Sequence, residues 1–142
     1  MQLTLPSRVD QAAEARRAIA STAQRAGLGV EAVADLKTIV TEAFTNAVEH
    51  AYGGREGRID VCARADEGEV TVTVRDYGAG ITPRPVARNG EARSSVRLGL
   101  LLIASLASSM QIRAASGGGT EIIASVSEAS AARHPRMRGH QA

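Results

Sequence analysis

The residues best suited to chemistry lie near the end of a predicted helix. Glu42, Asn46 and His50 follow one another at four-residue spacing, which places them along one stripe of an α-helix, and Glu49 falls beside that stripe. A carboxylate one turn from an amide oxygen can hold a water molecule, or can share a hard cation such as Mg²⁺ whose other ligands are phosphates. Taken alone, the spacing favours a simpler interpretation, the solvated polar face of an amphipathic helix.

A second candidate site follows a valine-rich segment. Asp76 stands at its end, and Gly78 and Gly80 come directly afterwards. A carboxylate in this place can accept a hydrogen bond from a ligand amine, while the glycines let a ligand approach the backbone closely. The same residues also fit a tight turn that begins with an aspartate.

Two further glycine-containing segments could hold phosphates and a base. Gly99 is predicted to open a leucine-rich helix, whose free N–H groups and dipole favour an anion, and Arg97 precedes it. The triplet 117–119 leads to Thr120, whose hydroxyl could lie beside a bound base, although an ordinary hairpin turn explains these glycines equally well. Other arginines upstream, each of which taken singly fits a solvated loop, are Arg84, Arg88 and Arg93.

The hydrophobic pattern predicts the elements that must position these residues. Ser7 is the expected N-cap of a helix that runs to about residue 26, and Gly27 ends it. Further helices are predicted at about 30–51 and 97–108. The strands expected from alternating apolar residues, or from their place in the chain, lie at 2–5, 58–65, 69–75, 109–115 and 120–126.

This order predicts an α+β fold, a two-layer sandwich in which helices cover one face of a mixed, mostly antiparallel sheet. Residues 76–95 are predicted to be a loop, long enough to serve as a lid over a ligand. The folded domain is expected to span 1–128. Residues 129–142 form a basic tail that is expected to be disordered.

Composition excludes several classes of protein. Aromatic residues make up only 2% of the chain, so the core must be aliphatic, and base stacking on nucleic acid is not expected. The tail carries too few arginines for a phosphate-binding stripe. Cys62 is alone, which rules out an internal disulfide and a cysteine-based zinc site. No apolar run approaches the ~20 residues of a membrane span, and no signal peptide is recognisable, so a cytoplasmic protein is expected.

The order of the four motifs resembles a known ATP-binding domain. A helical E-x-x-x-N, a strand-end D-x-G-x-G, a glycine- and arginine-containing lid and a G-G-G-T turn occur in this order in gyrases and histidine kinases. The resemblance covers residues 5–126. Within that superfamily the chain is most similar to the bacterial anti-sigma-factor serine/threonine kinases, whose first motif reads much like TEAFTNAVEHAYGG.

The resemblance implies a role for each matching residue. Glu42 would act as general base toward a target serine, and Asn46 would ligate the Mg²⁺ that bridges the phosphates of ATP. Asp76 would accept from the adenine amino group, with Thr120 nearby through water. The glycines would approach the nucleotide at Gly78, Gly80 and Gly99. His50 receives no role beyond a structural hydrogen bond.

The resemblance also implies partners. The substrate would be a Ser or Thr on a small anti-anti-sigma protein of the STAS type, a sigma factor would be sequestered, and a homodimer is common among such kinases. The chain departs from the family at Ser95, Val96 and Arg97, where two glycines of the second glycine box are missing; Arg97 could instead offer its guanidinium to the γ-phosphate. This departure keeps open a second hypothesis, a non-catalytic module that acts by binding proteins.

Overall fold

The computed structural model describes residues 1–78 and 90–132, and for residues 90–97 it describes the backbone alone. Its elements run in the order β1 (Gln2–Pro6), a short 3-10 turn (Val9–Gln11), α1 (Ala12–Arg25), α2 (Val30–His50), β2 (Arg58–Asp66), β3 (Glu69–Asp76), α3 (Gly90–Leu106), β4 (Ser109–Ala114), β5 (Thr120–Ser127) and α4 (Glu128–Ala132).

The strands form one five-stranded sheet in the order β1-β2-β3-β5-β4. Every pairing in this sheet is antiparallel, so the predicted α+β class is confirmed, while the mixed character expected for the sheet is absent from the strands that the structure describes. The β2–β3 hairpin turns at Glu67 and Gly68, both with positive φ, as the polar spacer between the two alternating runs predicts.

Helices cover one face of the sheet, as predicted. Helix α1 contacts β2, α2 contacts β3 and β5, and α3 contacts β4 and β5. The buried side chains alternate along the buried parts of β2 and β3 and so point to this face. In β5 the apolar residues Ile122, Ala124 and Val126 follow the same alternation, and Ser125 is buried as well. The largest fully buried apolar residues, aliphatic apart from one, are Phe44, Ile19, Leu36, Ile39, Ile59, Ile103, Val40, Val61, Val70, Val72 and Val126.

Three of the predicted boundaries are wrong. Ser7 does not cap a helix: its hydroxyl accepts a hydrogen bond from the Gly57 N–H at 2.7 Å, which extends the β1–β2 pairing by one residue. Helix α3 begins at Gly90, within the expected loop. Residues 129–132 are not a loose tail, because they belong to α4, where Ser130 and Ala131 are buried. Most of the expected lid and residues 133–142 lie outside the described residues.

Candidate active site

Helix α2 and the end of β3 enclose a small pocket on the covered face of the sheet. Asn46 and Asp76 both line it, Asn46 from the last turns of the helix and Asp76 from the last position of the strand. Both are almost fully buried, with exposures of 4% and 5%. The remaining lining residues are His50 and five apolar residues, Ala43, Ala47, Ala51, Val74 and Ile122. Two polar side chains from distant parts of the sequence therefore share one apolar cleft.

The Asp76 carboxyl group is held by backbone donors on one side only. Its Oδ1 accepts from the N–H of Gly78 at 3.1 Å and from the N–H of Thr120 at 3.2 Å. Within the described residues, no hydrogen bond to Oδ2 is recorded, so this oxygen can accept from a ligand. Burial raises the pKa of Asp76 above its usual value, while these two backbone hydrogen bonds and the charge of Arg75 oppose the rise.

The turn before β5 packs closely against Asp76. Gly119 has a φ of +90°, and a Cβ atom on it would lie 2.0 Å from the Asp76 carbonyl oxygen. Only glycine satisfies both demands, and this brings the Thr120 N–H to the Asp76 carboxylate. The sequence identified this glycine triplet, but its contact with Asp76 joins residues 43 positions apart, which local patterns do not reveal.

Gly78 is needed for packing as well as for a turn. A Cβ atom at Gly78 would lie 1.9 Å from the Ala51 carbonyl oxygen, so the backbone after β3 passes directly over the end of α2. The approach to a nucleotide that the resemblance implied for Gly78 stays a prediction. Gly80 and the Arg97 side chain lie outside the described residues.

Gly99 does not open a helix as expected. Helix α3 already starts at Gly90, so Gly99 lies in its middle and has no free helix N-terminus. The contact with the phosphates that the resemblance implies for Gly99 stays a prediction. Two glycines of the family's motif are missing within residues 95–97, and none of the residues that stand there interrupts a helix. A Cβ atom on Gly99 would lie 3.1 Å from both Asn46 Nδ2 and Glu42 Oε2, so Gly99 lets α3 cross α2 at these two residues.

Glu42 faces a different opening from Asp76. It lies at one end of an open groove between α1 and α2, whose other polar lining residues are Arg16, Lys37, Thr38 and Thr41. It lies one helical turn before Asn46, on the same stripe, as its spacing predicts. The carboxylate is thus placed between the groove and the pocket.

Two polar side-chain atoms of the residues that line the pocket have no hydrogen-bond partner among the described residues. These are Asn46 Nδ2 and His50 Nε2, both fully covered. The hydrogen bond expected for His50 is not observed at Nε2, which lies 3.5 Å from a Glu49 carboxylate oxygen. Because an unsatisfied buried polar atom costs free energy, a cleft that contains two of them is suited to a polar ligand.

The Asn46 amide also fits a hard cation. Its side-chain oxygen is the donor type that Mg²⁺ accepts, and Mg²⁺ normally takes only one or two protein ligands and fills its other positions with water and phosphates. Within the described residues, no group of three His, Cys, Asp or Glu side chains could hold a metal by itself. A cation here would therefore need phosphate ligands as well.

A scan against family models matches residues 5–126 to the histidine kinase-like ATPase domain. The anti-sigma F factor of Clostridium acetobutylicum is 30% identical over an alignment of 130 positions that covers 87% of this chain and 90% of the relative. The chain belongs to the anti-sigma-factor serine kinase family of histidine kinase-like ATPases. The serine-protein kinase RsbW of Listeria innocua is 36% identical over an alignment of 114 positions that covers 73% of each chain.

Solved structures agree with this fold. The histidine kinase domain of the Erythrobacter litoralis EL346 blue-light activated histidine kinase superposes with a TM-score of 0.52 at 27% identity. The match covers 73% of this chain and 48% of the kinase chain, so this chain spans about half the length of that relative. Among the helices that the structure describes, none is long and apolar enough to cross a bilayer.

Proposed function

We propose that this protein is an ATP- and Mg²⁺-dependent serine/threonine kinase that also acts as an anti-sigma factor. The observation that carries the proposal is the shared pocket of Asn46 and Asp76, because adenine recognition and phosphate recognition need two polar groups at separate places in one cleft. Membership of the family supports the same activity, since relatives are named anti-sigma F factor and serine-protein kinase RsbW.

Asp76 is assigned to the adenine base. The adenine amino group is a donor, and the carboxylate oxygen Oδ2 is an acceptor at the edge of an apolar pocket. The two backbone hydrogen bonds to Oδ1 keep the carboxyl group from turning away. The apolar lining that includes Ala47, Val74 and Ile122 suits the apolar faces of a purine. Thr120 is assigned to the same base through its position beside Asp76.

Asn46 is assigned to the phosphates through Mg²⁺. Bound Mg²⁺ would neutralise the charge of the phosphate oxygens and hold the chain of phosphates in one orientation. Asn46 supplies the amide oxygen as its ligand, and burial fixes the orientation of this side chain. Gly99 keeps α3 close without a side chain over the amide.

Glu42 is assigned as general base. In the transfer step, the serine hydroxyl oxygen of the substrate bonds to the γ-phosphorus of ATP, the bond from that phosphorus to the bridging oxygen breaks, and ADP leaves. The hydroxyl proton passes to the Glu42 carboxylate, which the helix places one turn from Asn46 and at the mouth of an open groove. A protein substrate can reach this groove, whereas it cannot enter the buried pocket.

The proposed partners follow from the family. The substrate is a Ser or Thr on a STAS-type anti-anti-sigma protein, and the sigma factor binds in competition with it. Phosphorylation lowers the affinity of the antagonist and leaves the kinase free to hold sigma. We propose a homodimer and a cytoplasmic location as well, because the family and the composition favour both.

The proposal is tested by phosphoryl transfer from γ-labelled ATP to a purified STAS protein encoded beside this gene. We expect the parent protein to label the STAS protein, and Glu42→Gln to lose at least about 100-fold in rate, the usual contribution of a general base, while it still binds ATP. Glu49→Gln is the matched control, because this exposed carboxylate lies on the same helix but outside the pocket and the groove.

A non-catalytic binding module is the second candidate. The observation that favours it is helix α3, which runs through residues 95–99 where the family places a glycine-rich phosphate loop. Tight binding of the STAS protein without any labelling would establish this second function and contradict the first. Labelling that Glu42→Gln retains in full would instead remove Glu42 from the general-base assignment.

A further inference from the structure

The Tyr52 hydroxyl joins the end of α2 to the strand end that carries Asp76. It accepts a hydrogen bond from the Tyr77 N–H at 2.8 Å and donates one to the Arg58 carbonyl oxygen at the start of β2. Three segments of backbone, separated by 25 residues at most, therefore meet at one oxygen atom. The bond to Tyr77 matters most, because this N–H belongs to the peptide group that follows Asp76.

The Asp76–Tyr77 peptide group is held from both sides. Tyr52 takes its N–H, and Gly119 packs directly against its carbonyl oxygen, since a Cβ there would lie 2.0 Å away. The neighbouring carboxyl group receives the N–H groups of Gly78 and Thr120. Removal of the Tyr52 hydroxyl would release one side of this peptide and allow Asp76 to turn relative to α2.

The Tyr52 ring cannot easily move to compensate. It packs closely against Gly57, where a Cβ atom would lie 2.2 Å from the ring carbon Cε1. The ring is half-buried against the core, while the two hydrogen bonds of its hydroxyl lie at the protein surface. Water can therefore satisfy Tyr77 N–H and Arg58 C=O when the hydroxyl is absent, so its loss affects position more than stability.

We propose that Tyr52 is a positioning residue for adenine recognition: its hydroxyl fixes the distance between helix α2, which carries Asn46, and the Asp76 carboxylate. This inference rests on the proposed function, because it assigns a further residue to the same nucleotide site. Tyr52 does not line the pocket and acts through the backbone next to Asp76.

Tyr77 supplies a matched control. Its own hydroxyl lies on the opposite, solvent-facing side of the sheet, where it donates to the Asp60 carboxylate and accepts from Arg58 at 2.8 Å. Tyr77→Phe removes a hydroxyl from the same cluster but leaves the hydrogen bond between the Tyr77 N–H and Tyr52 in place. The two variants thus differ in whether the peptide beside Asp76 is released.

The test is calorimetric binding of two nucleotides, ATP and purine riboside triphosphate, which lacks the adenine amino group. We expect Tyr52→Phe to weaken ATP binding by about tenfold, the value of one hydrogen bond, and purine riboside triphosphate binding by less than about twofold. Tyr77→Phe should leave both affinities within about twofold. In the parent, amide hydrogen exchange at Tyr77 should be slow, and in Tyr52→Phe it should be faster.

Each other outcome overturns a specific statement. An equal loss for both nucleotides in Tyr52→Phe would mean general loosening of the pocket, and would overturn the inference. So would unchanged ATP binding in Tyr52→Phe when Asp76→Asn weakens it, and in that case the proposed function would stand. A parent protein that binds no ATP, or binds both nucleotides equally, would contradict the proposed role of Asp76 itself and the inference with it.

Discussion

At the scale of single residues, the buried carboxyl group of Asp76 lowers the stability of the fold, and we propose that it binds the nucleotide. Its carboxyl group lies in an apolar cleft, and burial raises its pKa. Its Oδ1 accepts from two backbone donors, and no hydrogen bond to Oδ2 is seen among the described residues. A group built only for stability would satisfy both oxygens or remain at the surface. The half of the carboxyl group that these backbone donors leave open can accept a hydrogen bond from a ligand.

Replacement of this carboxyl group by an amide should move stability and binding in opposite directions. In Asp76→Asn the side-chain oxygen can still accept from Gly78 and Thr120, but an NH₂ donor replaces the acceptor that faces the pocket. We expect ATP affinity to fall at least about tenfold, as the loss of one charge-assisted hydrogen bond predicts. Calorimetry that gives the parent affinity would remove Asp76 from the site.

The same variant should be more stable than the parent at neutral pH. Because folding raises the pKa of Asp76, its contribution to stability is full below the unfolded-state value of 3.8 and is lost as the pH rises through the higher folded-state pKa. The advantage of Asp76→Asn in urea unfolding should therefore grow as the pH rises through this window and then level off. A stability difference between Asp76→Asn and the parent that stays constant between pH 3 and 7 would contradict the idea that burial of the ionised carboxylate destabilises the fold.

Asn46 should control the dependence on metal. Asn46→Ala removes both the amide oxygen assigned to Mg²⁺ and the unpartnered Nδ2, so we expect Mg²⁺ to improve ATP binding in the parent by about tenfold or more and to have little effect in the variant. Thr45→Ala, a neighbour on the same helix outside the pocket lining, is the control. Identical Mg²⁺ titrations of Asn46→Ala and the parent would count against the assignment.

At the scale of the elements, the sequence predicts the helices and strands whose position follows from the local spacing of apolar and polar residues. Alternation of Val70, Val72 and Val74 with polar residues defines β3, and four-residue spacing places Glu42 and Asn46 on one face of α2. The sequence does not reveal the start of α3, because its leucine-rich run begins only at Leu98, whereas the helix begins eight residues earlier at Gly90. Ser7 has the residue type of a cap, but a sheet partner 50 positions away takes its hydroxyl.

The same limit applies to the site. The sequence identifies Asp76 and Asn46 because each stands in a recognisable motif, and the structure brings both to one pocket. The contacts that hold Asp76 come from Tyr52 and Gly119, which are distant in sequence and carry no local signal of that role. Tertiary contacts of this kind depend on how α2, β3 and β5 pack, which no spacing rule supplies.

The turn that precedes β5 gives a prediction at this scale. Gly117→Ala and Gly119→Ala both place a side chain at positive φ, which costs about 1–2 kcal/mol, but a Cβ at Gly117 meets open space. Gly119→Ala also forces Cβ into the Asp76 carbonyl oxygen, and overpacking adds about 1–3 kcal/mol. The free energy of unfolding in urea should thus be clearly lower for Gly119→Ala than for Gly117→Ala. Equal free energies would contradict the close packing of this turn on β3.

At the scale of the whole molecule, the last described helix, α4, contacts the N-terminus of α2. The Glu128 carboxylate in α4 accepts a hydrogen bond from the Gly29 N–H, the residue that precedes α2, and Ala131 is buried in the core. Helix α4 therefore stabilises the helix that carries Glu42 and Asn46. The family match ends at residue 126, two residues before α4, so this contact involves a helix outside the matched region.

Two truncations distinguish the contribution of α4 to stability from that of the basic tail. Removal of residues 133–142 should leave the melting temperature within about 2 °C of the parent, whereas removal of 128–142 deletes the cap of α2 and a core residue, and should lower it by at least about 5 °C. Thermal unfolding followed by circular dichroism measures both. A large loss on removal of 133–142 alone would place part of the stabilising structure in the tail.

The central claim is that Asp76 and Asn46 hold opposite ends of one nucleotide, and a crystal structure with Mg²⁺ and a non-hydrolysable ATP analogue tests it most directly. The account predicts that the adenine amino group lies within hydrogen-bond distance of Asp76 Oδ2. It also predicts that one Mg²⁺ ion is bound by both the phosphates and the Asn46 amide oxygen. A nucleotide bound elsewhere, or one whose base lies at Asn46 and whose phosphates lie at Asp76, would contradict it.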